Sequence, residues 1–186
     1  MSLKHAILGF LNWQPLTGYD LKKLIGDSPT HYWSGNNNQI YTSLVALHND
    51  GFVTREVEHQ DDAPSRKIYT ITDAGRAELK AWAMSQPEMP DWKVPFLVQL
   101  AWTHDLDGDE LDALLASYAE RLRVEVLMLS ELAQRGAPSP DRTQRESFLW
   151  QQIEDHWITL YTNELNWIES LRTGLRSQTY TQGNET

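Results

Sequence analysis

The segment from Ile40 to Val53 constrains the fold more than any other part of the chain, because it combines a helical pattern with a strand that follows at once. Its apolar residues follow helical spacing, and Gly51 suits the left-handed turn that ends many helices. The opposite helix face, from Asn37 to Ser43, is polar and uncharged. Such side chains suit the base edges and phosphates of a DNA groove. The pattern predicts the third helix of a winged helix-turn-helix domain.

Two further helices are predicted before this segment. Apolar spacing predicts a helix from Leu3 to Trp13. Thr17, with Asp20 three residues later, is a suitable N-cap for a second helix that ends at Gly26. Ser34 is the expected N-cap of the third helix.

A β-hairpin wing and a fourth helix are predicted after Gly51. Residues 52–58 and 67–71 are rich in β-branched and aromatic side chains, and the polar run 59–65 separates them. Thr72 then begins a helix that is expected to reach about Gln86, where prolines break the pattern. These elements predict a DNA-binding domain over residues 1–86 and a linker over residues 87–94.

The second half of the chain is predicted to be an antiparallel helical domain over residues 95–176. A short helix is expected from Pro95 to His104. Asp107 and Glu110 then form a capping box for a longer helix that ends near Gly136. The chain is therefore mainly α-helical, with the hairpin as its only predicted β structure.

The last helix is predicted to begin at Ser139 and to reach Leu175, a length of roughly 55 Å at 1.5 Å per residue. A long apolar stripe on it would be an aggregation hazard in a monomer, so we expect a second copy of the chain to cover it. The predicted dimer contacts on this stripe are Trp150, Ile153, Trp157, Leu160, Tyr161 and Ile168. After the helix, a flexible tail is expected over residues 177–186.

Composition favours a soluble cytoplasmic protein. The chain has 186 residues, 40% of them hydrophobic, which is enough for a core. It has no cysteine, so neither disulfides nor thiolate metal sites are available. No apolar run is long enough to span a membrane, and no signal peptide is indicated.

The negative charge of the chain is unevenly distributed. The formal net charge is -10, but the first 86 residues hold 8 basic and 9 acidic side chains, against 8 and 17 in the remainder. Phosphate neutralisation by Lys and Arg supplies much of the affinity for DNA. We therefore expect a small basic footprint on an acidic molecule, and binding that weakens steeply with salt.

Sequence patterns typical of enzymes are missing. His104-Asp105 and Glu154-Asp155-His156 place titratable groups at adjacent helical positions, which face in different directions and have no third partner at a useful spacing. No Gly-rich phosphate loop or nucleophile motif occurs. We expect no catalytic residue, metal or cofactor.

Short motifs in both halves of the chain point to one family. They are Ala6–Leu11, Gly18–Leu21, Ile40–Tyr41, Leu44, Leu47, Gly51–Val53, Arg66–Arg76, Pro95–Leu100 and Asn166–Ile168. In this order and spacing they resemble the PadR family of bacterial transcriptional regulators, in the branch with a long C-terminal helical domain. The resemblance implies a homodimeric regulator of transcription, more often a repressor, that binds a pseudo-palindromic operator.

The resemblance and the polar helix face together select the candidate DNA contacts. These are Asn36, Asn37, Asn38, Gln39, Tyr41, Thr42, Ser43, Arg66 and Lys67. Two departures from the family pattern affect them. Thr42 stands where proline usually follows the tyrosine, which adds a hydroxyl and an amide, and Asp61 and Asp62 would repel phosphate at the wing tip.

An aromatic effector is a further expectation, because relatives of this family can hold one near the dimer interface. Most of the eight tryptophans are expected to pack in the core. Trp92, Phe96 and Trp102 are the candidate lining of an apolar effector pocket.

The alternative to a DNA-binding regulator is a winged-helix module that binds a protein partner through its acidic surface and has lost DNA contact.

Overall fold

Helices dominate the chain, and one small antiparallel sheet lies in its N-terminal part, as the sequence predicted. The computed structural model describes residues 3–26, 37–60, 63–90, 93–135 and 143–177. The chain divides into two compact units, Met1–Met89 and Pro90–Thr186. In chain order the elements are α1 (Leu3–Trp13), β1 (Leu16–Thr17), α2 (Gly18–Gly26), α3 (Asn37–Asn49), β2 (Val53–Gln60), β3 (Ala63–Ile71), α4 (Asp73–Ala83), α5 (Pro95–Ala101), α6 (Gly108–Arg135) and α7 (Gln144–Ser177).

The core of the first unit forms around α3. Ile40, Leu44 and Leu47 are each at most 1% exposed, and they belong to one cluster with the buried residues of α1 and α2. The predicted helical spacing is therefore confirmed. The helix ends in a Schellman turn, in which the Phe52 amide donates to the Leu47 carbonyl at 2.9 Å and Gly51 adopts a φ of 76°.

One hydroxyl joins this turn to the start of α4. Thr72 Oγ1 donates to the Gly51 carbonyl at 2.8 Å and accepts from the Gly75 amide at 3.1 Å. The same side chain therefore caps α4 and holds the turn after α3. The backbones approach so closely here that a Cβ atom on Gly75 would lie 2.2 Å from the Phe52 carbonyl oxygen.

The sheet contains a third strand that the sequence did not predict. Its order is β1-β3-β2, and β1 pairs with β3 through Leu16 opposite Tyr69. A strand of two residues is too short to show an alternating pattern, so periodicity could not reveal it. The capping role predicted for Thr17 is confirmed. Its Oγ1 accepts from the Asp20 amide at 3.1 Å, and the Asp20 carboxylate accepts from the Thr17 amide at 3.1 Å.

The hairpin extends further than predicted. β2 and β3 pair in antiparallel register up to Gln60 opposite Ala63, with a shift between Glu58 and Gln60. The predicted loop over residues 59–65 was therefore too long, because polar side chains hid the continued backbone pairing. Residues 61–62, which carry the expected acidic tip, lie outside the described part of the chain, as does the predicted cap Ser34.

Two helices end earlier than the sequence predicted. α4 ends at Ala83 rather than near Gln86, because the Ser85 amide and hydroxyl both bond to the Trp82 carbonyl, at 3.0 and 2.7 Å. α5 ends at Ala101 rather than at His104. Local hydrogen bonds of this kind close a helix without any proline or glycine signal.

Capping boxes begin both long helices of the second unit. The box of Asp107 and Glu110 before α6 is confirmed, with bonds of 2.8 and 3.0 Å. α7 begins at Gln144, so the predicted start at Ser139 is wrong. Its cap is Thr143, whose Oγ1 accepts from the Glu146 amide at 3.2 Å while the Glu146 carboxylate accepts from the Thr143 amide at 3.0 Å.

α6 and α7 pack as an antiparallel pair around the buried side chains of Leu115, Ala119, Leu122 and Ile168. A salt bridge joins the first part of α6 to the last part of α7. Arg172 binds the Asp112 carboxylate through Nε at 3.0 Å and Nη2 at 3.2 Å, and these hydrogen bonds help to lower the pKa of Asp112 to about 2. No helix in the described ranges is both long and apolar enough to cross a membrane.

We predict that Gly75→Ala lowers the free energy of unfolding by about 1–3 kcal/mol, because the added methyl group must push the Phe52 carbonyl away from α4. Urea denaturation of the full chain measures the change. Gly9→Ala is the matched control, since a Cβ atom at Gly9 meets nothing within 4 Å inside a helix. Equal stability of the two variants would contradict the close approach.

Candidate nucleic-acid interface

The polar face of α3 is exposed, while its apolar face is buried. The side chains of Asn38, Gln39 and Thr42 are exposed, and Ser43 is partly buried. Thr42 Oγ1 donates to the Asn38 carbonyl at 2.7 Å, so this hydroxyl offers only its acceptor lone pairs to a ligand. Of the two other predicted contacts, Asn37 is the first residue of α3, and Asn36 lies outside the described residues.

Tyr41 is held against the start of α2. A Cβ atom on Gly18 would lie 2.5 Å from Cε1 of the Tyr41 ring, so the ring is in contact with the Gly18 backbone. The tyrosine nevertheless remains 48% exposed. Glycine at position 18 thus allows an aromatic ring to lie flat at the edge of α3 with much of its surface open to solvent.

The wing residues Arg66 and Lys67 are both exposed, but strand geometry separates them. Lys67 lies opposite Val57 in the β2–β3 register, and Arg66 lies opposite Glu58. Successive side chains of a strand point to opposite faces. The two predicted cations therefore project from different faces of the hairpin rather than forming one pair.

A cleft of about 760 Å³ lies between the start of α2, the exposed face of α3 and the wing. It brings together Tyr41, Arg66 and Lys67, which the sequence predicted, with two residues that it did not, Tyr19 and Arg55. Tyr19 is 68% exposed. Alternation along β2 could have identified Arg55, because Val53 faces the core and every second residue shares its face.

The described lining of the cleft has more positive than negative charge. Arg55, Arg66 and Lys67 border it, and the carboxylate among the described lining residues is Asp20. The Asp20 Oδ2 atom accepts from the Thr17 hydroxyl at 2.7 Å and from the Thr17 amide at 3.1 Å. That carboxylate caps α2, and its single charge is outnumbered by the three cations.

The two candidate effector residues that the structure describes, Phe96 and Trp102, differ in burial. Phe96 is buried and stacks on Tyr118, with the ring centroids 3.7 Å apart. Trp102 is 74% exposed, and Trp92 lies outside the described residues. Of the described tryptophans, Trp13 packs against the core of the first unit. Trp82, Trp102 and Trp167 are exposed, so the expectation of core packing is wrong for these three.

The predicted dimer contacts on α7 differ in burial. Ile153 is exposed, and Trp150, Trp157, Leu160 and Tyr161 are partly buried. Ile168 is fully buried against α6 and cannot reach a second chain. The helical spacing alone could not show which apolar residues of α7 face α6 and which are exposed, because the two sets adjoin on the helix surface.

The titratable clusters considered in the sequence do not form metal sites. His104 Nε2 lies 3.3 Å from the Asp105 carboxylate at an exposed position. Across the described residues no three His, Asp or Glu side chains are placed to hold a metal ion.

Comparison with known proteins decides the family. The model of the transcriptional regulator PadR-like family matches residues 7–81. The negative transcriptional regulator PadR of Bacillus subtilis is 31% identical over 131 residues, which is 70% of this chain and 70% of that protein. This chain belongs to the PadR-like family. It is a transcriptional regulator by family, and not an enzyme.

Solved structures extend the similarity to both units of this PadR-like regulator. The crystal structure of Bacillus subtilis PadR in complex with operator DNA covers 93% of this chain and 98% of that one, with 26% identity and a TM-score of 0.83. The structure of the same protein in complex with p-coumaric acid covers 94% and 98%, with 25% identity and a TM-score of 0.76. The winged-helix fold with a C-terminal helical region is therefore shared.

We predict that Gly18→Ala moves the Tyr41 ring with little loss of stability. The new methyl group would overlap the ring, but the exposed ring can rotate away, so the cost should stay below about 1 kcal/mol. NMR of labelled tyrosine and urea denaturation measure the two effects. Gly26→Ala, at the far end of α2 with open space around it, should leave the Tyr41 signals unchanged. Unchanged Tyr41 signals in Gly18→Ala would contradict the contact.

Proposed function

We propose that this PadR-like regulator binds operator DNA as a homodimer and inserts α3 into the major groove. One observation carries the proposal: α3 buries Ile40, Leu44 and Leu47 completely while it exposes Asn38, Gln39, Tyr41 and Thr42. Amide and hydroxyl groups on a rigidly anchored helix are suited to reading base edges. The operator complex of Bacillus subtilis PadR supports the proposal, because that protein shares the fold.

The proposed contacts divide by their chemistry. The amides of Asn38 and Gln39 are the candidates for base recognition, since they can pair with two atoms of one base. Tyr41 and Ser43 offer hydroxyl groups to phosphates or bases, whereas the Thr42 hydroxyl, which donates to the Asn38 carbonyl, can only accept from a donor on a base. Arg66 and Lys67 supply positive charge from the wing. Asn37, the first residue of α3, and Asn36 are also proposed contacts.

We predict specific binding to duplex DNA from the region upstream of the protein's own gene, because such regulators often control adjacent genes. Fluorescence anisotropy with excess competitor DNA should show a log–log salt slope of several units. Gln39→Ala should weaken the specific complex about tenfold or more, since it removes a two-point contact to a base. Gln151→Ala, which removes the same side chain from an exposed position of α7, is the matched control.

A duplex complex that Gln39→Ala leaves intact would refute the assignment of α3 to base recognition. Absence of any specific duplex binding would favour the alternative function, a winged-helix module for a protein partner. The exposed acids Glu56 and Glu58 on the wing are the observation that favours that alternative.

The proposed dimer uses an apolar stripe on α7 that the protomer leaves open. Leu149, Ile153 and Trp167 are 47%, 39% and 41% exposed, and Leu160 lies between them on the same side of the helix. The spacings of four and seven residues are those of helices that pack along their length. α7 has 34 residues and is about 51 Å long at 1.5 Å per residue. Half-sites in the operator should lie about 10 bp apart or a multiple of that.

We predict that Ile153→Glu converts the dimer into a monomer, because it places a charge in the apolar interface. Analytical ultracentrifugation measures the mass. Gln151→Glu adds the same charge on a different side of α7 and should leave the dimer intact. The monomeric variant should also lose operator affinity, since it can no longer occupy two half-sites at once. A dimeric Ile153→Glu variant would exclude this stripe.

Repression and release by a small aromatic acid complete the proposal. The supporting observations are the negative regulator of Bacillus subtilis that this chain resembles and the complex of that protein with p-coumaric acid. p-Coumarate is therefore the first compound to add to the DNA-binding measurement. We propose the cytoplasm as the site of action, because the chromosome of a bacterium lies there.

A further inference from the structure

Arg55 and Lys67 form a pair of unneutralised cations on one face of the wing. Arg55 lies opposite Tyr69, and Val57 lies opposite Lys67, so all four project from the same face of the hairpin. Arg55 and Lys67 are diagonal neighbours, with their Cα atoms roughly 7–8 Å apart. Both are exposed, and neither forms an ion pair with another residue in the described ranges.

The opposite face of the hairpin has a different charge. It carries Glu56 and Glu58, and Arg66 lies directly across from Glu58. Glu56 and Glu58 do not line the cleft, whereas Arg55 and Lys67 border it from the other face and Arg66 also reaches its edge. The hairpin presents a positive face to the cleft even though its sequence mixes both signs.

The remaining walls of the cleft suit a sugar–phosphate backbone. Tyr19 and Tyr41 border it from α2 and α3, and each carries a hydroxyl that can donate to a phosphate oxygen. Val45, 51% exposed on α3, offers apolar surface of the kind that deoxyribose can contact. Cations, hydroxyl donors and an apolar wall therefore meet in one open groove beside the proposed base-reading helix.

We propose that this cleft holds the DNA backbone, with one phosphodiester bound between Arg55 and Lys67, and that Arg55 is a positioning residue that fixes the register of α3 in the groove. The inference rests on the proposed DNA binding and extends it to Arg55, which neither the sequence motifs nor the comparisons assign. Backbone contacts position a reader without carrying sequence information. Loss of Arg55 should therefore weaken every duplex alike.

Arg55→Ala and Lys67→Ala test the inference against Lys80→Ala. Lys80 is an exposed cation on α4 that does not border the cleft, so its loss changes the net charge equally. The two cleft variants should each weaken specific and non-specific duplexes by a similar factor, about fivefold to tenfold, and lower the salt slope by about 1. Lys80→Ala should change neither quantity measurably.

A second measurement locates the phosphate. Neutral methylphosphonate groups are substituted one at a time along the bound duplex, and the affinity of the wild-type protein should fall at one position per half-site. In Arg55→Ala the loss at that position should become smaller, because one of the two cations that bind the phosphate is already gone. Millimolar inorganic phosphate at constant ionic strength should not compete with DNA for the cleft.

The outcomes separate this inference from the proposed function. If the wild-type protein binds no duplex, the proposed function fails. If the wild-type protein binds and Arg55→Ala behaves like Lys80→Ala, the proposed function stands and the backbone site is refuted. Competition by inorganic phosphate that vanishes in Arg55→Ala would also overturn the assignment, because it would identify a small anion as the occupant.

Discussion

The Thr72 hydroxyl is the contact on which the geometry of the N-terminal unit depends. It binds the carbonyl at the end of the α3 turn and caps α4 at the same time, and the glycine at position 75 lets the two backbones meet. The direction in which β2 leaves α3 follows from that contact. Thr72 does not line the cleft between α3 and the wing, but it holds the turn that joins α3 to β2, two of the elements that do.

Much of the fold could be predicted because it follows from local rules. Helical spacing identified the buried side of α3, and capping residues identified the starts of α2, α4 and α6. The missed features depend on contacts distant in sequence or on weak local signals. β1 exists only through its pairing with β3, and the true start of α7 is a second capping box that a serine–proline pair four residues earlier concealed.

The candidate site could be predicted only in part, for a related reason. The polar side of α3 and the basic pair Arg66 and Lys67 in the wing are visible as motifs. The residues that share the cleft with them are not visible as motifs, because Gly18 and Tyr19 reach it from α2 and Arg55 reaches it from β2. The apolar residues of α7 could not be sorted from the sequence either. Ile168 faces α6 rather than solvent because of the rotation of α7 about its axis, which the composition of the helix does not fix.

The separation of charge between the two faces of the wing has a kinetic meaning. A chain with a net charge of -10 is repelled by DNA in most orientations, whereas the face with Arg55 and Lys67 is attracted. Under the proposed DNA binding, encounters with the acidic face forward should be short and those with the basic face forward should last longer. Alternation of side chains along two strands would then select, during the search, the collisions in which α3 already faces the groove.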